Sequence, residues 1–373
     1  MAGFGRRWSR RGFLLAGVAA PRLRAQEKKS AVFPPEVKRY EDPTTELDVY
    51  RLTDPGHAST LPAYYNRGIA RNSGSLLFCC DRGAGPQACR MDLKTGEIRE
   101  LTEVRDLDGS SLTLTPDNRS FCYFAGRSLF IATVAGRAKP LYQVPEGWER
   151  CPGMSVGPDG THATFAERHG DGSRLRMVTL VQGVARTVVE VPFAMSHPIP
   201  RPGRAQILFR QGDDALWLVN SDGAQKRQLK LAGGRVGPAD WAADGKTVLY
   251  LNFPADTRQL NAIRECAPDN NGDALVAQTS QYAHFGFNHP ATVFVGASRS
   301  AASPNILIML RVTRRELTLC EHRASHPEMT APRFSPDTQR LYIQSDRDGQ
   351  PAIYSMRMER FLDKTDPETP SGG

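Results

Sequence analysis

The chain has 373 residues, of which 40% are hydrophobic and 24% charged, and a formal net charge of +8. This composition specifies a folded core, in one large domain or two ordinary ones, and excludes a disordered or low-complexity chain. The basic balance does not mark a nucleic-acid binder: residues 1–25 hold six arginines and no acid, which leaves only +2, dispersed among acids, on the remainder.

That first segment contains "SRRGFLLAGVAA" (Ser9 to Ala20), a twin arginine before a short apolar run that ends in small residues. The run is too short to span a bilayer as a helix and fits an export signal of the twin-arginine type, cleaved after Ala25. The expected product is exported, periplasmic or secreted, with no transmembrane segment once the signal is removed. Residues 26–47 are expected to form a lead-in.

From residue 48 the turns set the organisation. Seven turn-like segments, centred on Asn72, Pro116, Pro158, Pro202, Ala243, His289 and Pro336, each precede an alternating apolar strand, at intervals of 44, 42, 44, 41, 46 and 47 residues. A period of this size with several short strands per unit predicts an all-β, seven-bladed β-propeller over residues 48–361. In the first unit an inner strand ends at "GIAR", followed by "SLLFCCD", "ACRMDL" and "EIRELTE". The last unit offers "APRF", "RLYIQSD" and "AIYSMRM" and then a polar tail, residues 362–373, expected to be disordered. Its missing outer strand is supplied by "DVYRLTD" (Asp48 to Asp54), which matches "EIRELTE" in residue type and would close the last blade with the N-terminal strand.

Seven cysteines, Cys79, Cys80, Cys89, Cys122, Cys151, Cys266 and Cys320, include no C-x-x-C pair, which argues against a thiolate zinc site. Cys79 and Cys89 could face each other across a hairpin near Gly83; the competing reading is buried free thiols.

In a propeller, the loops that enter the innermost strands gather at one mouth of the central channel, where polar groups of different blades converge. His197, His284 and His326 lie at or just before innermost strands of blades four, six and seven, and His57 in the link entering blade one. Three imidazoles aimed at one channel could hold Mn²⁺ or Zn²⁺; the alternative is a scattered polar lining. "GMSVG" (Gly153 to Gly157) matches a nucleophile-elbow pattern, but it falls in an inner strand before a turn and not between a strand and a helix, so Ser155 is not a nucleophile.

Several segments together, "RLTDPGH", "YYN", "HPIPRP", "WLVNSDG" and "SDRDGQPAIY", resemble the oligogalacturonate lyases through most of residues 48–356. The resemblance implies a seven-bladed propeller that cleaves pectin-derived oligogalacturonides by β-elimination with a bound Mn²⁺. It places His284 on a metal-binding histidine, His326 on a glutamine ligand, and His197 with Arg201 in the "HP-I-x-RP" motif. His197, Arg201 and His57 become candidates for substrate contact. A His-x-His pair is replaced by Met329 and Ala331, a base histidine by Pro238 and an arginine by Ala215. A rearranged site would draw on His284, His326, His322 and Arg323, so the catalytic candidates are His197, Arg201 and Arg323. Two functions follow: an exported lyase with an altered site that acts on uronate oligosaccharides, or a non-catalytic propeller that binds an oligosaccharide or a protein partner in the same mouth.

Overall fold

The computed structural model describes residues 31–358; the export segment at 1–25 and the tail at 362–373 lie outside the described residues. Seven antiparallel sheets are arranged as the blades of a ring. Their innermost strands are Ala58–Thr60, Thr113–Leu114, Glu149–Val156, Met195–Pro200, Arg235–Trp241, Tyr282–Phe287 and Arg333–Phe334. Among the described residues the only helical turns are Gly109–Ser111 and Pro327–Met329, and no helix is long and apolar enough to cross a membrane.

The turn rhythm has a local cause. In each "PD"-type turn the aspartate accepts a backbone N–H two residues on: Asp117 from Arg119 (3.0 Å), Asp159 from Thr161 (3.0 Å), Asp244 from Lys246 (2.9 Å) and Asp337 from Gln339 (3.0 Å). The strand after each turn is packed on both faces by neighbouring blades, so it reads as a nearly unbroken apolar run. Ser75–Asp81 is buried along its length except at Asp81. Between blades six and seven, Val295, Ile306 and Ile308 pack with Leu341, Ile343 and Tyr354.

Blade seven closes the ring as its sequence pattern predicts. Asp48–Arg51 pairs antiparallel with Ala352–Arg357, in the register Val49 to Met356, Tyr50 to Ser355 and Arg51 to Tyr354. The lead-in does more than connect. Lys38–Glu41 adds a fifth strand outside Asp48–Arg51, and Val32–Phe33 adds a fifth to blade one against Ile98 and Arg99.

Two expectations are corrected. The inner strand of blade one does not run unbroken to "GIAR": pairing stops after Thr60 and resumes only as a bridge from Ile69 to Leu76. The segment between them leaves the sheet. Cys79 and Cys89 cannot be bridged, because Cys79 stands opposite Ala88 and Cys89 opposite Phe78, and the two side chains lie on different faces. It is Cys80 that shares a face with Cys89. All seven cysteines are buried free thiols.

Val49 is 1% exposed in the core that joins blades six and seven, whereas Val32, on the outer edge of blade one, is 50% exposed. Val49→Asp should therefore lower the urea midpoint sharply, by the several kcal/mol that an unpaired charge in a core costs, and Val32→Asp should leave it within about 0.5 kcal/mol.

Candidate functional site

The segment that leaves blade one, "LPAYYNRG" from Leu61 to Gly68, crosses the channel and touches other blades through hydrogen bonds. Leu61 N–H donates to Gln344 Oε1 (2.6 Å) of blade seven, and Asn66 Nδ2 donates to Ser110 O (3.1 Å) beside blade two. Arg333 Nη2 donates to Pro62 O (2.6 Å). The Tyr64 hydroxyl donates to Ala239 O (3.1 Å) and accepts from Ala239 N–H (3.0 Å) in blade five. The rings complete the plug: Tyr64 meets His284 edge-on at 5.3 Å and Tyr65 meets His197 at 5.9 Å.

The inner strands bulge around this plug. Register shifts fall between Arg150 and Met154, Ser196 and Ile199, Val236 and Ala239, and Tyr282 and His284. His197 sits on its bulge at φ 51°. Only a glycine fits opposite it: Gly153 has φ 91°, and a Cβ there would lie 2.6 Å from His197 Cα and 2.7 Å from Tyr65 Oη.

On the side of the loops that enter the inner strands, the plug floors a cavity of about 870 Å³ whose walls include His197, His284, Arg210, Arg235 and Arg299. Arg210 is fixed by the carbonyls of Gly237 (2.6 Å) and Val236. Arg235 and Arg299 each place a guanidinium 5.2 Å from the centroid of Phe253. Gly237 makes room for that ring, since a Cβ there would lie 2.7 Å from it. Three guanidiniums face two carboxylates, Asp213 and Glu328. Burial, reinforced by Arg210, holds His197 down to about 4, and burial, reinforced by Arg333, holds His284 down to about 3. Both imidazoles are neutral near pH 7, and the Nδ1 of His284 has no partner.

The other sequence-derived residues stand elsewhere. Arg201 is 2% exposed and wedged between blades four and five. It donates to Gly245 O (2.6 Å) and Gln206 Oε1 (2.7 Å) and grips Asp269 with two bonds of 2.9 and 2.8 Å. Its donors are consumed by the scaffold, so it is not available to a substrate. His322 is buried with both nitrogens engaged: Nε2 lies 3.0 Å from Ser298 O, and Nδ1 accepts from Ala324 N–H at 3.0 Å. Arg323 is exposed and pairs with Glu321. His326 is 72% exposed and lies 3.6 Å from Glu328. His57 is half-buried in the turn after Asp54, outside the mouth lining. Ser155 is buried, with its hydroxyl donating to Pro198 O at 2.5 Å. Of the candidate set, the structure brings His197 and His284 into one cavity.

These residues do not make a manganese site. His284 lines the mouth beside Pro238, Met329 and Ala331, none of which offers a hard donor. Among the described residues no group of three or more His, Cys, Asp or Glu side chains is placed to hold a metal ion.

Below the plug, on the turn side, lies a second cavity of about 690 Å³, walled by Asp240, Arg333, Arg67, Asn66 and Tyr65. Burial pushes Asp240 up to about 7, and burial holds Arg333 down to about 10, each countered by the charge of the other. Neither stood out in the sequence. Asp240 and Arg333 acquire meaning only when blades five and seven meet at the channel, although "YYN" did mark part of the plug.

No family model matches the chain. The oligogalacturonide lyase of Pectobacterium atrosepticum is 24% identical to it across 84% of this chain and 94% of that protein. The oligogalacturonate lyase of Dickeya dadantii is 23% identical across the same shares. A solved oligogalacturonate lyase in complex with manganese superimposes with a TM-score of 0.83 at 23% identity, covering 88% of this chain and 98% of that one. The chain thus resembles the oligogalacturonate lyases in sequence over most of its length and has their seven-bladed fold.

The depressed histidines have a signed consequence. Below pH 6.5 the unfolded chain takes up protons that folded His284 and His197 refuse, so their contribution to stability is present above that pH and is lost as pH falls towards 4 and 3. Urea unfolding at pH 7 and pH 4.5 should show His284→Gln losing about 1–2 kcal/mol less than the parent chain on acidification.

Proposed function

We propose that this chain is an exported, lyase-like propeller that binds uronate oligosaccharides in the histidine–arginine mouth and does so without manganese-dependent elimination. The homologous lyases supply the substrate class. The single observation that carries the assignment is the content of the mouth: Arg210, Arg235 and Arg299 line it, and Pro238, Met329 and Ala331 stand where the resemblance expects a base and metal ligands.

The chemistry separates binding from cleavage. Removing the proton at C5 of a uronate requires that the adjacent carboxylate be neutralised and that a base near pKa 7 receive the proton. Guanidiniums ordered on Phe253 and on backbone carbonyls can read carboxylates spaced along an oligomer. His197 and His284, held at about 4 and about 3, are neutral but weakly basic, which suits hydrogen bonding to sugar hydroxyls better than proton abstraction. A half-buried aromatic ring beside them is a usual companion of pyranose binding.

The test uses residues 26–373 and short oligogalacturonides, with calorimetry for binding and ultraviolet absorbance for the unsaturated product, each with and without Mn²⁺. Saturable, salt-sensitive binding is expected, with no gain in absorbance. Neutral oligogalactosides should bind at least about tenfold more weakly, and Arg299→Ala should cost the acidic ligand about 1 kcal/mol. An absorbance rise abolished by His284→Ala would replace this assignment with a working lyase. Equal affinity for neutral and acidic oligomers would remove uronate recognition altogether.

A further inference from the structure

The turn-side cavity is separated from the mouth by the plug, and Tyr64 contributes to the walls of both. Its polar lining is unusually uncommitted. Buried atoms without a hydrogen-bond partner include Arg333 Nε, Arg67 Nη1, Asn66 Oδ1 and Tyr65 Oη, and all four residues line this one cavity. Arg333 and Asn66 are only 9% and 5% exposed. The orientation of the Asn66 amide is fixed by its Nδ2 bond to Ser110 O, so the free atom is the acceptor. Asp240, half-buried in the opposite wall, accepts one hydrogen bond, from Trp241 N–H at 2.8 Å. Arg333 and Asp240 form no ion pair. Around them, Phe285 and Phe287 supply apolar wall, and Arg67, Arg71 and Arg333 set three guanidiniums against the single carboxylate of Asp240.

Unmade bonds on buried charged and amide groups cost free energy until something fills them. The set required of an occupant is specific: a carboxylate to accept from Arg333 Nε and Arg67 Nη1, and hydroxyl donors for Asn66 Oδ1 and the Asp240 carboxylate. We propose that the turn-side cavity is a second, independent binding site, for a small polyhydroxy carboxylate of monosaccharide size, entered from the face opposite the mouth. The volume of about 690 Å³ accommodates such a molecule with accompanying water. The site stands apart from the assignment of the mouth, which could fail without affecting it.

The experiment titrates residues 26–373 with D-galacturonate, with D-galactose as the neutral control, by calorimetry and saturation-transfer NMR. It compares the parent chain with Asp240→Asn, Arg67→Ala and the mouth variant Arg299→Ala, each checked for parental circular dichroism and urea midpoint. Saturable binding of galacturonate and not galactose is expected, weakened at least about tenfold by Asp240→Asn and by Arg67→Ala and unchanged by Arg299→Ala. Should one variant fail to fold, the other carries the comparison. No saturable binding to folded protein up to about 10 mM would mean that the cavity holds water only, and would overturn the proposal. Binding lost in Arg299→Ala and kept in both cavity variants would place the monosaccharide in the mouth and overturn it equally.

Discussion

A ring of blades leaves one edge of every innermost strand without a strand partner, and the arrangement of this channel depends on how those edges are satisfied. The bond pair between the Tyr64 hydroxyl and the backbone of Ala239 is the clearest case, since one side chain serves both a carbonyl and an N–H that the sheet cannot. Arg333 does the same for Pro62, and Asn66 for Ser110. A single excursion from blade one therefore ties blades two, five and seven across the axis. It also fixes where the channel is closed and which residues face which opening.

That partition gives the two ends different chemistry. Above the plug, histidines kept neutral by burial sit beneath arginines ordered by an aromatic ring and by carbonyls, an arrangement for reading repeated carboxylates. Below it, one aspartate and three arginines surround a set of unmade hydrogen bonds. The two openings share a wall but not an entrance. A change of ligand at one end therefore need not be felt at the other except through the plug itself.

The ring was legible in the sequence because its determinants are local and repeated. Each aspartate-capped turn announces the strand that follows, and each doubly packed second strand is an unbroken apolar run. Closure was legible for the same reason, since Asp48–Arg51 carries the residue pattern of an outer strand. The site was legible only in part. His197 and His284 could be placed at the mouth by counting from the turns, because they lie within inner strands. His322 and Arg201 lie near the same positions in sequence, yet the partners that bind them, Ser298 and Asp269, come from other turns and other blades. The parity of the cysteine strand pair was misjudged by one residue, which is enough to put a side chain on the other face. Asp240 and Arg333 carry no local signal at all, since their environment is made by two blades far apart in the chain.

The shared last blade also sets an order of events in biosynthesis. Its outer strands come from residues 38–51 and the rest from residues 333–357, so no nascent chain shorter than almost the whole sequence can complete it. Until the final strands leave the ribosome, Val49 has no core to enter and the first blade has no neighbour on one side. The earlier blades must wait as an open arc with two unprotected edges, and the slowest contact to form joins the two ends of the polypeptide. Premature termination anywhere upstream of Ala352 would thus not yield a smaller propeller but an arc with adhesive ends, a natural target for proteolysis.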